Sequence, residues 1–97
     1  MKRTIMVAAA MALLSASSAS MAGPSGRTLA VTCWGCHGPN GQSSGAAPSL
    51  KGLPAAVVSG AMNDFKSGKR PATIMDRIAK GYSDADIAAM SDYISKL

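Results

Sequence analysis

The chain predicts an all-α fold of three to five short helices joined by glycine-rich loops. Three observations predict it. No segment alternates apolar and polar residues over strand length; two segments repeat apolar residues at helical spacing; and Gly68, Pro71 and Gly81 punctuate the chain between helical stretches. The first 22 residues stand apart from this pattern. Lys2 and Arg3 make a positive start, Ile5 to Leu14 an apolar stretch, and Ser15 to Ala22 a run of small residues. That order is a secretory signal peptide, with Ser20-Met21-Ala22 as the recognition triplet and cleavage after Ala22. The apolar stretch is too short to span a bilayer, and no other run is long enough, so the mature chain carries no membrane span. The absence of a twin arginine favours export of an unfolded chain.

What remains is one domain, Gly23 to Leu97, and removal of Lys2 and Arg3 takes the formal charge from +5 to +3. Within it, Ser25 to Thr32 makes a short helix leading into Cys33. Gly38 to Gly52 (GPNGQSSGAAPSLKG) is loop, with Asn40-Gly41 as its sharpest turn. Pro54 opens a helix to about Ser67 whose apolar face is Val57, Val58, Ala61, Met62 and Phe65, and Gly68 ends it. Pro71 reopens a turn or short helix over Ala72 to Lys80, which Gly81 can end in the left-handed conformation. Ser83 caps the last helix, Asp84 and Asp86 favour its positive end, and Ile87, Met90, Ile94 and Leu97 form its buried stripe.

A domain this small rarely supports itself on a protein core alone and calls for a staple. Cys33 and Cys36 are too close for a disulfide between them to constrain the unfolded chain much. Composition narrows the chemistry further. Glutamate is absent, the five acids are all aspartate, and His37 is the only histidine. A hydrolase triad would spend that single imidazole, and no glutamate is on hand as an acid of raised pKa. Four aromatic residues and a modest charge argue against nucleic acid as a partner.

The informative segment is Cys33-Trp34-Gly35-Cys36-His37. In an exported chain, C-x-x-C-H reads as covalent attachment of a c-type haem. Two thiols one helical turn apart can add across the two vinyl groups of a porphyrin, and the next residue, His37, can then donate an imidazole nitrogen to the iron. One covalent haem c also supplies the missing staple. A thioredoxin-like dithiol would need a βαβ setting, and a zinc site would need a fourth nitrogen or sulfur ligand that the mature chain lacks. A plain disulfide beside a bystander histidine is the remaining rival.

With one histidine, the second axial ligand is expected to be methionine, which raises the reduction potential relative to a second imidazole. Met62, Met75 and Met90 are the candidates. Met62 and Met90 fall on helical apolar stripes, where methionine usually fills core. Met75 lies in a short segment between two longer helices and is preferred as the ligand.

GRTLAVTCWGCHGPNG resembles the N-terminal helix and haem-binding turn of a class I cytochrome c. SGKRPATIMDRIAKGYSDADIAAMSDYISKL is similar to the haem subunit of flavocytochrome c sulfide dehydrogenase and its relatives, and the stretch from Lys69 to Asp86 is the more particular part. The resemblance covers nearly all of the mature chain. It implies a fold wrapped around one haem, with N- and C-terminal helices crossing so that Gly26 and Leu29 pack against Tyr93 and Ile94. It implies that the Pro48 carbonyl accepts the proton on the second nitrogen of His37, and it too places the distal ligand at Met75. Many such subunits carry two haem domains, whereas this chain has one C-x-x-C-H.

Of the eight basic residues after Ala22, Lys66, Lys69, Arg70, Arg77 and Lys80 flank Met75. Positive charge there can steer an acidic redox partner. The expected role is one-electron transfer in the periplasm, without catalytic residues of the chain's own. The resemblance implies a haem subunit taking electrons from a sulfide-oxidising flavoprotein; the alternative is a free carrier between larger redox complexes.

Overall fold

A computed structural model describes residues 23–97. The signal peptide expected over residues 1–22 lies outside the described residues. Every regular element among them is helical: α1 (Gly26–Val31), α2 (Trp34–His37), α3 (Ala55–Ser67), α4 (Met75–Ala79) and α5 (Asp84–Ser95), with a 3-10 turn at Pro39–Gly41. The all-α expectation holds.

The helix ends follow local chemistry. The Ser25 hydroxyl accepts the Thr28 N–H (3.2 Å) at the start of α1. At α5 the capping is reciprocal: the Ser83 hydroxyl accepts the Asp86 N–H and the Asp86 carboxylate accepts the Ser83 N–H, each at 3.1 Å. That box satisfies two otherwise orphaned donors and sets negative charge at the helix's positive end. Pro54 precedes α3, its carbonyl taking the Val57 and Val58 N–H groups, and Gly68 closes the helix at φ 80°.

Three details depart from the sequence reading. Helix α4 starts only at Met75, because no side chain caps it and Ile74 is still non-helical at φ −139°. Gly81 is not left-handed; its N–H and that of Tyr82 bond back three residues, to Ile78 and Ala79, and continue the turn tightly. Leu97 lies beyond α5 and is half-buried, so the buried stripe stops at Ile94.

The core forms where α5 meets α1 on one side and α3 on the other, with α4 against α3. Ile87, Met90 and Ile94 are each 1% exposed and pack with Leu29, Val58 and Met62. The α1–α5 crossing is closest at Gly26, where a Cβ would lie 2.3 Å from the Ala89 carbonyl oxygen and 3.1 Å from the Tyr93 Cβ. The crossing expected from the resemblance is therefore present, with Ala89 at its tightest point. Gly26→Ala must push the two helices apart and is expected to lower stability by about 1–3 kcal/mol. Gly60→Ala, in exposed α3 with nothing within 4 Å of the new methyl, should gain about 0.5–1 kcal/mol from helix propensity. Denaturant unfolding of the two variants checks both signs.

Candidate functional site

The two thiols are set by the break between α1 and α2. The Cys33 N–H closes α1 on the Ala30 carbonyl, and the Cys33 carbonyl then accepts from Cys36 (3.2 Å) and His37 (2.9 Å) to open α2. Cys33 and Cys36 are thus one turn apart, with His37 directly after. Both cysteines are free thiols, Cys33 half-buried and Cys36 exposed. Burial pushes the Cys33 thiol above its ordinary pKa, and the neighbouring Cys36 adds to the rise. Among the described residues, no group of three or more His, Cys, Asp or Glu is arranged to hold a metal ion.

His37 is 8% exposed and its Nδ1 lies 2.6 Å from the Pro48 carbonyl oxygen. A carbonyl can only accept, so Nδ1 carries a proton, and in the neutral ring Nε2 is then the nitrogen with the lone pair. The loop from Gly38 to Gly52 delivers Pro48 to that position. Asn40 and Gly41 turn it with positive φ (54° and 72°), and the Gly41 carbonyl accepts from Leu50 (2.7 Å) and Lys51 (3.2 Å). Gly38 is irreplaceable there: at φ 88° a Cβ would meet the Gln42 oxygen at 2.0 Å.

Cys33, Cys36, His37 and Pro48 line one side of a cavity of about 810 Å³. Val58, Met62 and Phe65 of α3, the stretch Pro71 to Met75, Tyr82, and Met90 and Ile94 of α5 complete its wall. All three candidate methionines reach this cavity. Met62 and Met90 do so from the buried core, while Met75 is half-buried at the first residue of α4.

Of the five basic residues around Met75, Lys66 is engaged within the fold. Its ammonium donates to the Tyr82 carbonyl at 2.6 Å and stands 3.6 Å from an Asp84 carboxylate oxygen. The Arg70 guanidinium sits 4.9 Å above the Phe65 ring. Lys69, Arg77 and Lys80 are exposed. Spacing did not single out Tyr82, whose ring lines the cavity and whose hydroxyl meets Thr32. The available signal was one of only four aromatic residues, wedged between Gly81 and the Ser83 cap.

A family model for cytochrome c matches residues 25–97. The chain belongs to the cytochrome c family. It is similar to the cytochrome subunit of sulfide dehydrogenase of Chlorobaculum tepidum, at 40% identity over 72 residues, covering 74% of this chain and 66% of that one. It is similar to the thiosulfate dehydrogenase electron acceptor of Thiomonas intermedia, at 36% identity over all of this chain and 45% of that one. It also matches cytochrome c-553 of Nitratidesulfovibrio vulgaris at 31% identity over the full length of both. The chain thus spans just under two thirds of the first relative and less than half of the second.

This cytochrome is an electron-transfer haem protein with one covalently bound haem c. The residues present fit that group: the cavity is of cofactor size, its wall is mostly apolar, and two free thiols stand beside a histidine with one nitrogen uncommitted. When bound, the haem supplies an iron that changes by one electron between ferric and ferrous. The chain's own part is to exclude water with the apolar wall, which disfavours the more highly charged ferric state, and to fix the imidazole through Pro48. Among the described residues no helix is long and apolar enough to cross a membrane.

Proposed function

We propose that residues 23–97 form a single mono-haem domain, released from a signal peptide over residues 1–22 and working in the periplasm. Cys33 and Cys36 hold the haem as thioethers, His37 and Met75 are its axial ligands, and Pro48 orients His37. The ligand reading rests on the geometry around His37 and on the position of Met75, which is only partly buried where the other two methionines among the described residues, Met62 and Met90, are buried in the core. As to role, the chain is the electron-accepting haem subunit of a sulfide-oxidising flavoprotein complex. The observation that carries this is the 40% identity over 72 residues to a sulfide dehydrogenase cytochrome subunit. The end-to-end match to a cytochrome c-553 supports a second reading, a free carrier. Size-exclusion chromatography of the native periplasmic fraction separates them. Co-elution with a flavin-bearing protein supports the subunit, and elution at the size of the lone domain supports the carrier.

Either reading calls for an acidic redox partner, because Lys69, Arg70, Arg77 and Lys80 are exposed and near Met75 in sequence, with Arg70 lining the cavity. Exposed charges act mainly on association rate, and salt screens them over about 8 Å at physiological ionic strength. Reduction by the partner should slow as salt rises. Lys69→Glu with Lys80→Glu should slow it about tenfold at low salt while leaving the spectrum and potential in place. Stopped-flow reduction across a salt series reads this, and a bimolecular rate indifferent to both salt and charge reversal makes the cluster an ordinary solvated surface.

A further inference from the structure

The stretch from Gly68 to Ser83 carries Met75 and is tied to α3 at both ends. The Arg70 N–H donates to the Asp64 carbonyl at 3.2 Å, and the Lys66 ammonium to the Tyr82 carbonyl at 2.6 Å. Those ties hold it to one side of the cavity only. Across the cavity lies the cysteine-bearing turn, and one side-chain hydrogen bond among the described residues reaches it from this stretch: Tyr82 hydroxyl to Thr32 hydroxyl, 2.9 Å, fifty residues apart in sequence.

Its direction can be worked out. The Thr32 hydroxyl has one proton, and it goes to the Leu29 carbonyl at 2.6 Å. Thr32 Oγ1 can then only accept, so the Tyr82 phenol is the donor. The acceptor is thereby anchored to the last turn of α1, one residue before Cys33. Meanwhile the Tyr82 ring lines the cavity between the two sides, and its own carbonyl is held by Lys66.

We propose that Tyr82 is a positioning residue, a latch whose hydroxyl holds the Met75 segment closed against the Thr32–Cys33 turn and so keeps Met75 at the iron. The proposal rests on Met75 as the distal ligand. Breaking the latch should leave the thioethers and His37 untouched but let the segment swing away more often. The hydroxyls meet at the surface, where water competes, so the effect is at the low end for a hydrogen bond, about threefold in the open population.

The test uses ferric holoprotein carrying Tyr82→Phe, Thr32→Val, both together, or Thr32→Ser. Imidazole is titrated as a competing iron ligand, and amide exchange is followed at Gly81 and Tyr82, whose N–H groups bond to Ile78 and Ala79, and at Met90 in the core. The expected result has four parts. Phe and Val each raise imidazole affinity and Gly81 and Tyr82 exchange about threefold, the pair does no more than either alone, Ser behaves as wild type, and Met90 exchange stays put. A purely structural contribution would instead speed exchange at Met90 as well. Unchanged affinity and exchange in Tyr82→Phe, or fully additive effects in the pair, overturn the latch. Met75→Ala runs alongside: if it keeps the sulfur–iron band, the ligand reading has failed, and the exchange at Gly81 and Tyr82 still decides the latch independently.

Discussion

Cys36→Ser should yield a chain with at most one thioether, accumulating mainly as apoprotein. The two thiols sit one turn apart on either side of Trp34-Gly35, and a serine hydroxyl cannot add to a vinyl group as a thiol does. The loss is large because the cofactor also holds the fold together. A domain of this size buries too little surface to be secure on its own, and the cavity of about 810 Å³ runs into the middle of its core. Mass spectrometry of the denatured wild-type protein should find one haem-sized increment on the peptide containing Cys33 and Cys36. No increment, or a mass matching a Cys33–Cys36 disulfide, would sink the assignment.

Met75→Ala should abolish the weak sulfur-to-iron band of the oxidised protein and lower the potential by something on the order of 100 mV, within a spread of about 0.8 V that axial ligation commands. The controls are Met62→Ala and Met90→Ala. Both side chains are at most 6% exposed, so truncation should cost about 2–5 kcal/mol of stability while sparing the band. Met75 is half-buried, and its loss should cost less stability but the whole spectral signature. Spectrum and stability therefore change in opposite patterns across the three variants. A band lost with Met62 or Met90 and kept without Met75 reverses the ligand assignment.

Much of the fold was legible because its signals are local. Ser83 with Asp86 three residues on is a complete helix start within four residues, and the stripe through Ile87, Met90 and Ile94 needs only spacing. C-x-x-C-H is legible for the same reason, since one turn of helix contains all its chemistry. Helix α2 carries no periodic signal in the sequence, because four residues are too few for a period to show. Helix α4 is shorter than the sequence predicts, because Pro71 signals a start that non-helical Ile74 withholds until Met75. Pro48 could be assigned only through resemblance, since it lies eleven positions after His37 and no spacing rule says where such a loop closes. The Lys66–Tyr82–Thr32 connections span still longer intervals and join surface residues of unremarkable type.

Val58, Met62, Met90 and Ile94 belong at once to the buried core and to the cavity wall. Cofactor binding therefore also decides how much of the core is covered. A chain without its haem would leave these same side chains uncovered, so losing the cofactor would open part of the interior. Sharing one set of side chains between core and cofactor wall thus ties the stability of the fold to the occupancy of the cavity.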